Sequence, residues 1–171
     1  MRYIGNVNPE VIDPIIQRML ASEDAEAREA GGTIAAFAAL EWDRPDRMQQ
    51  ALSGDLHVRK GIAQITAGRV ACTSNTELAT ETLVRLMNDD ADEVRKEAAT
   101  VASHLRDHPL RPFVQLLTAL IDSPSYAHAA TQLLLTLEDA PDKVDGLVLK
   151  ASQRFLGVFG NDAADIRTRA A

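Results

Sequence analysis

His104 and His108 are four residues apart, a spacing that lets two imidazoles share one helix face, and Asp107 lies between them. A metal site needs more than this pair. Leu105 separates His104 from any acid, His108 abuts Pro109 at a helix end, and no His-Glu dipeptide occurs, so the helical motif of zinc proteases is absent. Both histidines read as turn or surface residues, with His108 near the negative end of a helix, and neither a metal nor another cofactor is expected. His57 and His128 are isolated and read as surface residues at helix starts. Cys72 follows Val70-Ala71 with no histidine or acid placed to activate it, which favours a buried small hydrophobe over a nucleophile. There is no Gly-x-Ser-x-Gly elbow and no Gly-Lys-Ser phosphate loop. Gly31-Gly32 lies within a helical register, where it permits close helix approach rather than cradling an anion.

The residue that recurs is arginine. Ala27-Arg28, Val58-Arg59, Val94-Arg95 and Ile166-Arg167 each follow an acidic turn, at intervals of 31, 36 and 72 residues, and Ala127-His128 divides the last into 33 and 39. Arginine's planar donor fork suits phosphate or carboxylate. Positions so regular do not describe one site, however, and each has an acid nearby: Asp24, Asp55, Asp90 or Asp92, and Asp162 or Asp165. The reading taken is a structural ladder at helix starts. The acid clusters Glu23-Asp24-Glu26-Glu29, Asp89-Asp90-Asp92-Glu93 and Glu138-Asp139-Asp142-Asp145 admit two readings, a ridge for a basic partner or carboxylates that cap helices. Capping suffices for most of them.

A period of this size requires stacked units, each burying its apolar face against its neighbours. The elements that carry the arginines read as helix, turn, helix. In the third unit Ser74-Asn75-Thr76-Glu77 offers a capping box, Asn88-Asp89-Asp90 breaks the helix, and Asp90-Ala91-Asp92-Glu93 caps the next. The second helix then places Val94, Ala98, Val101, Ala102 and Leu105 on one face. Ala27, Gly31, Ile34, Ala35 and Ala38 repeat those offsets, as do Val58, Ile62, Ile65 and Thr66, then Ala127, Thr131, Leu134 and Leu135. The predicted pairs are 9–21 with 24–41, 45–53 with 56–71, 76–88 with 91–106, 109–122 with 124–138, and 141–157 with 162 onward. Pro14 should kink the first helix, and Pro112 should delay the start of the fourth unit's first helix.

Composition agrees with an all-α domain. The chain has 171 residues, 46% hydrophobic but only 4% aromatic, so Leu, Ile, Val and Ala must fill the core. With 25 acidic against 18 basic residues the net charge of −7 disfavours nucleic acid. One cysteine excludes an internal disulfide, and no leader or membrane span is read, which points to the cytoplasm. The last predicted helix stops less than three turns after Asp162, and Arg2-Tyr3-Ile4 reads as the tail of a preceding helix, so the chain is expected to be a segment of a larger protein.

The Asp-rich turn, Val-Arg pair and small residues, clearest in Asp90-Ala91-Asp92-Glu93-Val94-Arg95 with Ala98-Ala99, resemble the HEAT-repeat (armadillo-like) family over residues 9 to 171. The resemblance implies a right-handed α-solenoid of about five helix pairs, the last incomplete, with repeats at about 9–44, 45–74, 75–108, 109–140 and 141–171 in one domain. It further implies that second helices line the concave face and that turn acids pair with the arginines of neighbouring repeats. Arg28, Arg59, Arg95 and Arg167 would form that ladder, from which His128 departs. The paired His-Glu iron ligands of deoxyhypusine hydroxylase, a HEAT protein, have no counterpart here. The chain also resembles repeats appended to large bacterial NTP-hydrolysing regulators and defence proteins.

The function expected is a noncatalytic protein-interaction or regulatory scaffold, with a protein partner or another domain of the parent chain. Outward positions Lys60, Gln64, Lys96, Thr100 and Ser103 are the candidate contacts, because steps of about four place them along one strip. Trp42 is read first as cover for the core and second as an interface anchor. The alternative is a HEAT-scaffold enzyme or nucleic-acid-acting protein similar to alkylpurine DNA glycosylases, which need a basic, aromatic groove that this chain lacks the composition to build.

Overall fold

The computed structural model describes residues 9–42, 44–142 and 144–169, with side chains for 11–42, 44–142 and 144–160. All regular structure among them is helical. The elements are α1 Pro9–Leu20, α2 Ala25–Glu41, α3 Pro45–Ala51, α4 Leu56–Arg69, α5 Thr76–Leu86, α6 Asp92–Ala99, α7 Val101–His104, a 3₁₀ turn Arg111–Phe113, α8 Val114–Asp122, α9 Tyr126–Asp139 and α10 Asp145–Arg169. No described helix is long and apolar enough to cross a membrane. Helices that are not neighbours in the chain pack on each other: α2 on α4, α4 on α6 and α7, and these on α9, while α5 packs on α8 and α8 on α10.

Most boundaries lie within a few residues of those predicted, with side-chain caps at the starts of α2 and α4 and prolines at those of α1 and α3, and two differences have identifiable reasons. The helix predicted over 91–106 is interrupted at Thr100, where the hydroxyl of Thr100 donates to the Glu97 carbonyl and that of Ser103 to the Thr100 carbonyl, both at 2.7 Å. Backbone N–H groups follow the same three-residue step, so the turn tightens to 3₁₀ geometry between α6 and α7. As predicted, Pro112 delays the next helix: its turn is 3₁₀ and α8 begins at Val114. The pair expected at 141–157 and 162 onward is a single helix, because α10 continues through Asn161-Asp162 to Arg169. Polar residues favour a break there but carry no obligate breaker such as proline, and helix propagation wins.

The fourth unit is also out of register with its expectation. Ala127, Thr131 and Leu135 are exposed, and the buried face is Tyr126, Ala129, Ala130, Leu133, Thr136 and Leu137. Steps of 4, 7 and 11 from Tyr126 reproduce those from Val94, so Tyr126 takes the valine position. Burying the tyrosine ring removes far more apolar surface from water than burying Ala127 would. Its hydroxyl donates to the Ala151 carbonyl of α10 at 2.6 Å, joining the fourth unit to the last helix. Tyr126→Phe is expected to lower stability by about 1 kcal/mol, a melting shift of roughly 2–4 °C, with helical content unchanged. A thermal melt followed by circular dichroism checks it, and no shift would remove this bond from the account.

Buried hydroxyls make comparable joins elsewhere. Thr73 donates to the Leu40 carbonyl at 2.9 Å, Ser123 to the Met87 carbonyl at 2.9 Å and Thr136 to the Ala102 carbonyl at 2.6 Å. Each gives a partner to a carbonyl in or just after the last turn of a helix, where intrahelical donors run out. Between α2 and α4 the backbones themselves touch: a Cβ on Gly32 would lie 2.2 Å from the Val58 carbonyl oxygen, and one on Gly61 2.0 Å from that of Glu29. Only glycine permits that approach.

Candidate interaction surface

Each described arginine of the recurrent set reaches both backward and forward. Arg28 donates to the Ser22 and Glu23 carbonyls of its own turn, and its Nε donates to Asp55 in the next unit at 2.6 Å. Arg59 donates to the Gly54 carbonyl and forward to Asp89 at 2.7 and 3.0 Å and Asp90 at 2.7 Å. Arg95 donates to the Asp89 and Asp90 carbonyls and to Asp92, and forward to the Ser125 hydroxyl at 3.3 Å. The forward partner changes from carboxylate to hydroxyl because the fourth turn is Ser123-Pro124-Ser125 where the others carry aspartate. The Arg167 side chain lies outside the described residues.

The register set by Tyr126 moves His128 out of this column. Ala127 stands at the arginine's place, and His128 falls two residues after the buried Tyr126, as Lys60 does after Val58 and Lys96 after Val94. The histidine belongs with the outward lysines. Sequence reasoning aligned Ala127-His128 with the Val-Arg pairs; the signal that corrects it was present, since Tyr126, Ala130, Leu133 and Leu137 are apolar throughout and Ala127, Thr131, Leu134 and Leu135 are not.

The turn acids have divided tasks. Asp55 also accepts from the His57 and Val58 N–H groups at 3.0 and 3.1 Å, capping α4, and Asp24 accepts from Glu26 N–H, capping α2. Burial pushes the Asp55 carboxyl up, but the Val58 N–H, Arg28 and the His57 N–H outweigh it and hold the group below the ordinary carboxylate range. Asp89 behaves likewise: burial raises it, while Arg59 and the Ala91 N–H lower it further. The capping box read at Ser74–Glu77 does not form; Asn75 instead sends its amide to the Leu40 carbonyl at 3.1 Å. Asp142 accepts from the Leu110 and Arg111 N–H groups at 2.6 and 2.9 Å, which hold its carboxyl below the usual range.

The outward strip is polar and partly neutralised. Lys60 pairs with Glu29 of α2 at 3.0 Å and Lys96 with Asp92 at 2.6 Å, while Gln64 and Ser103 are exposed and Thr100 is half-buried. Near the ends of α2 and α4, Phe37 meets Trp42 edge-on with centroids 5.5 Å apart, and the Arg69 guanidinium lies over the Phe37 ring at 5.4 Å. Trp42 is half-buried against the core. Cys72 is exposed, contrary to the buried reading, because α4 ends at Arg69 and the chain turns outward before Thr73 re-enters the core.

His104 is exposed at the end of α7 and His108 half-buried beyond it. No cluster of three or more metal-ligating side chains occurs among the described residues. A shallow groove of about 390 Å³ overlies the Arg28–Asp55 pair between Gln17, Leu20, Gln50 and Gly54, and no histidine, cysteine or lysine lines it. Compared with known proteins, the chain matches no family model, no curated protein and no solved structure.

Proposed function

We propose that the chain is a noncatalytic protein-interaction module, a right-handed α-solenoid of HEAT-like helix pairs followed by α10, which binds a protein partner through the outward strip of its second helices. The observation that carries this reading is the run of arginines joining each turn to the next, Arg28 to Asp55, Arg59 to Asp89 and Arg95 to Ser125. Clamps of this kind hold successive helices at a set spacing, and an array so held offers a continuous surface larger than any one unit provides. Lys60, Gln64, Lys96, Thr100 and Ser103 lie along that surface, with His128 added to the lysine column.

Photo-crosslinking tests the reading. A photoreactive phenylalanine at Gln64 or Ser103 should form a discrete protein adduct, and one at the exposed Glu81 of the first helix α5 should not. Joint Lys60→Glu and Lys96→Glu substitution should reduce the adduct about fivefold to tenfold, equivalent to roughly 1–1.4 kcal/mol of lost contact. The melting temperature should move little, since exposed pairs of this type contribute about 1 kcal/mol or less. Equal adducts from both faces, or an adduct that survives the double reversal, would overturn the assignment.

A further inference from the structure

The turn before α4 lacks two acids that the turn before α6 carries. Asp89-Asp90 stand six and five residues before Arg95, and Ser53-Gly54 stand six and five residues before Arg59. Arg59 therefore meets two carboxylates in the turn ahead of it, and its Nη2 donates to Asp89 at 3.0 Å and to Asp90 at 2.7 Å. Nη2 of Arg95 donates to Asp92 at 3.1 Å. Arg28 meets a serine and a glycine at those places. Its Nε donates to Asp55 and its Nη1 to the Ser22 and Glu23 carbonyls, so its Nη2 has no acceptor among the described residues. Arg28, Ser53 and Gly54 all line the groove of about 390 Å³ between the ends of α1 and α3. Leu20 and Ala51 supply apolar lining, and Gln17 and Gln50 supply polar lining, their amides bonded to each other at 3.0 Å.

We propose that this groove binds an acidic segment of a partner protein, whose Asp or Glu carboxylate takes at Arg28 the place that Asp89 and Asp90 fill at Arg59. A carboxylate is the acceptor that matches a guanidinium with unused N–H groups, and the other two described arginines of the column each place Nη2 on one. Asp55 is already engaged: its Oδ1 accepts from the His57 and Val58 N–H groups and its Oδ2 from Arg28 Nε. A primary amide carries donors and an acceptor, as a peptide unit does, so Gln17 and Gln50 can exchange their mutual bond for bonds to the segment's backbone. The shape favours a peptide over a free small acid. Small-molecule sites bury roughly 70–90% of their ligand, and a shallow groove leaves its occupant open to water. The site lies on the turns, apart from the second-helix strip, and does not rest on the function proposed for that strip. A net charge of −7 opposes an acidic partner at long range, so binding is weak and salt-sensitive.

Titration of the full chain with acetyl-Ala-Glu-Leu-amide, followed by nitrogen-15 NMR at low salt, should shift the Ala21, Ser53 and Gly54 amides with a Kd of about 1–10 mM. The same peptide with glutamine for glutamate should bind at least about fivefold more weakly, since only the charge is lost. Arg28 also ties its turns together, so the decisive variant is at the exposed Ser53. Ser53→Asp returns an acid at the place of Asp89 and should weaken the glutamate peptide at least about fivefold with the helical melt preserved. Ser53→Asn, of equal size without the charge, should leave binding within about twofold. Gly54 does not suit this test, because a Cβ there would lie 2.8 Å from that of Val58. No saturable shift by about 50 mM peptide overturns the proposal, as does equal binding of the glutamine peptide or binding that Ser53→Asp leaves intact. Sodium butyrate binding as tightly as the peptide would overturn it too, by assigning the groove to small acids.

Discussion

Gly32→Ala and Gly61→Ala should each lower stability by about 3 kcal/mol, near the upper end for overpacking, and the melting temperature by roughly 6–12 °C. A methyl group at either position would sit 2.0–2.2 Å from a backbone carbonyl oxygen of the facing helix, which cannot rotate away as a side chain could. Relief requires α2 and α4 to separate, and that opens the contact around Ala35, Ile62 and Ala63, all fully buried. Helix propensity works in the opposite direction, since alanine exceeds glycine by about 1 kcal/mol in a helix interior. Gly157→Ala on α10, where a Cβ meets nothing, isolates that term and should be neutral or stabilising by a few tenths to about 1 kcal/mol. Equal effects at Gly32 and Gly157 in thermal melts would show that α2 and α4 are not in backbone contact.

Arg59→Ala should cost about 2–3 kcal/mol, the largest loss expected within the arginine column. Its guanidinium serves three acceptors across two turns, and its removal strands Asp89, whose side chain is only 9% exposed. Asp90→Asn should cost little, because Asp90 is 90% exposed and screened by water. Lysine should not restore Arg59, since a point charge cannot span Asp89 and the Gly54 carbonyl together. The same pair makes stability depend on pH. Asp89 and Asp55 have folded-state pKa values below the ordinary carboxylate range, so the folded state binds protons less readily than the unfolded chain. Their contribution is complete above about pH 4, the unfolded value, and is lost as pH falls through the depressed folded values. Asp89→Asn should flatten that acid limb in urea titrations run between about pH 5 and 2, and an unaltered limb would exclude Asp89 from the linkage.

The acidic turns and apolar spacing were enough to place the helices through Asp139 to within a few residues, apart from the break at Thr100, because each is local chemistry: a cap or an apolar face of period 3.6. The close approach at Gly31-Gly32 was legible for the same reason, since glycine at a helical position is costly unless something needs the space. Local pattern failed where a choice depended on a distant group. Whether Tyr126 or Ala127 faces inward rests on Ala151, 25 residues later, accepting the tyrosine hydroxyl. Asp142 reads as a cap for its own helix, yet it accepts from Leu110 and Arg111, more than 30 residues earlier. Which acid each arginine takes was ambiguous in the sequence because several lie within reach of every turn. Only the packing of α2 on α4 and of α4 on α6 brings Asp55 to Arg28 and Asp89 to Arg59. Short-range preferences thus determined the helices, and the partners were decided by packing, since an ion pair or buried hydroxyl gains its energy only where the fold removes the competing water.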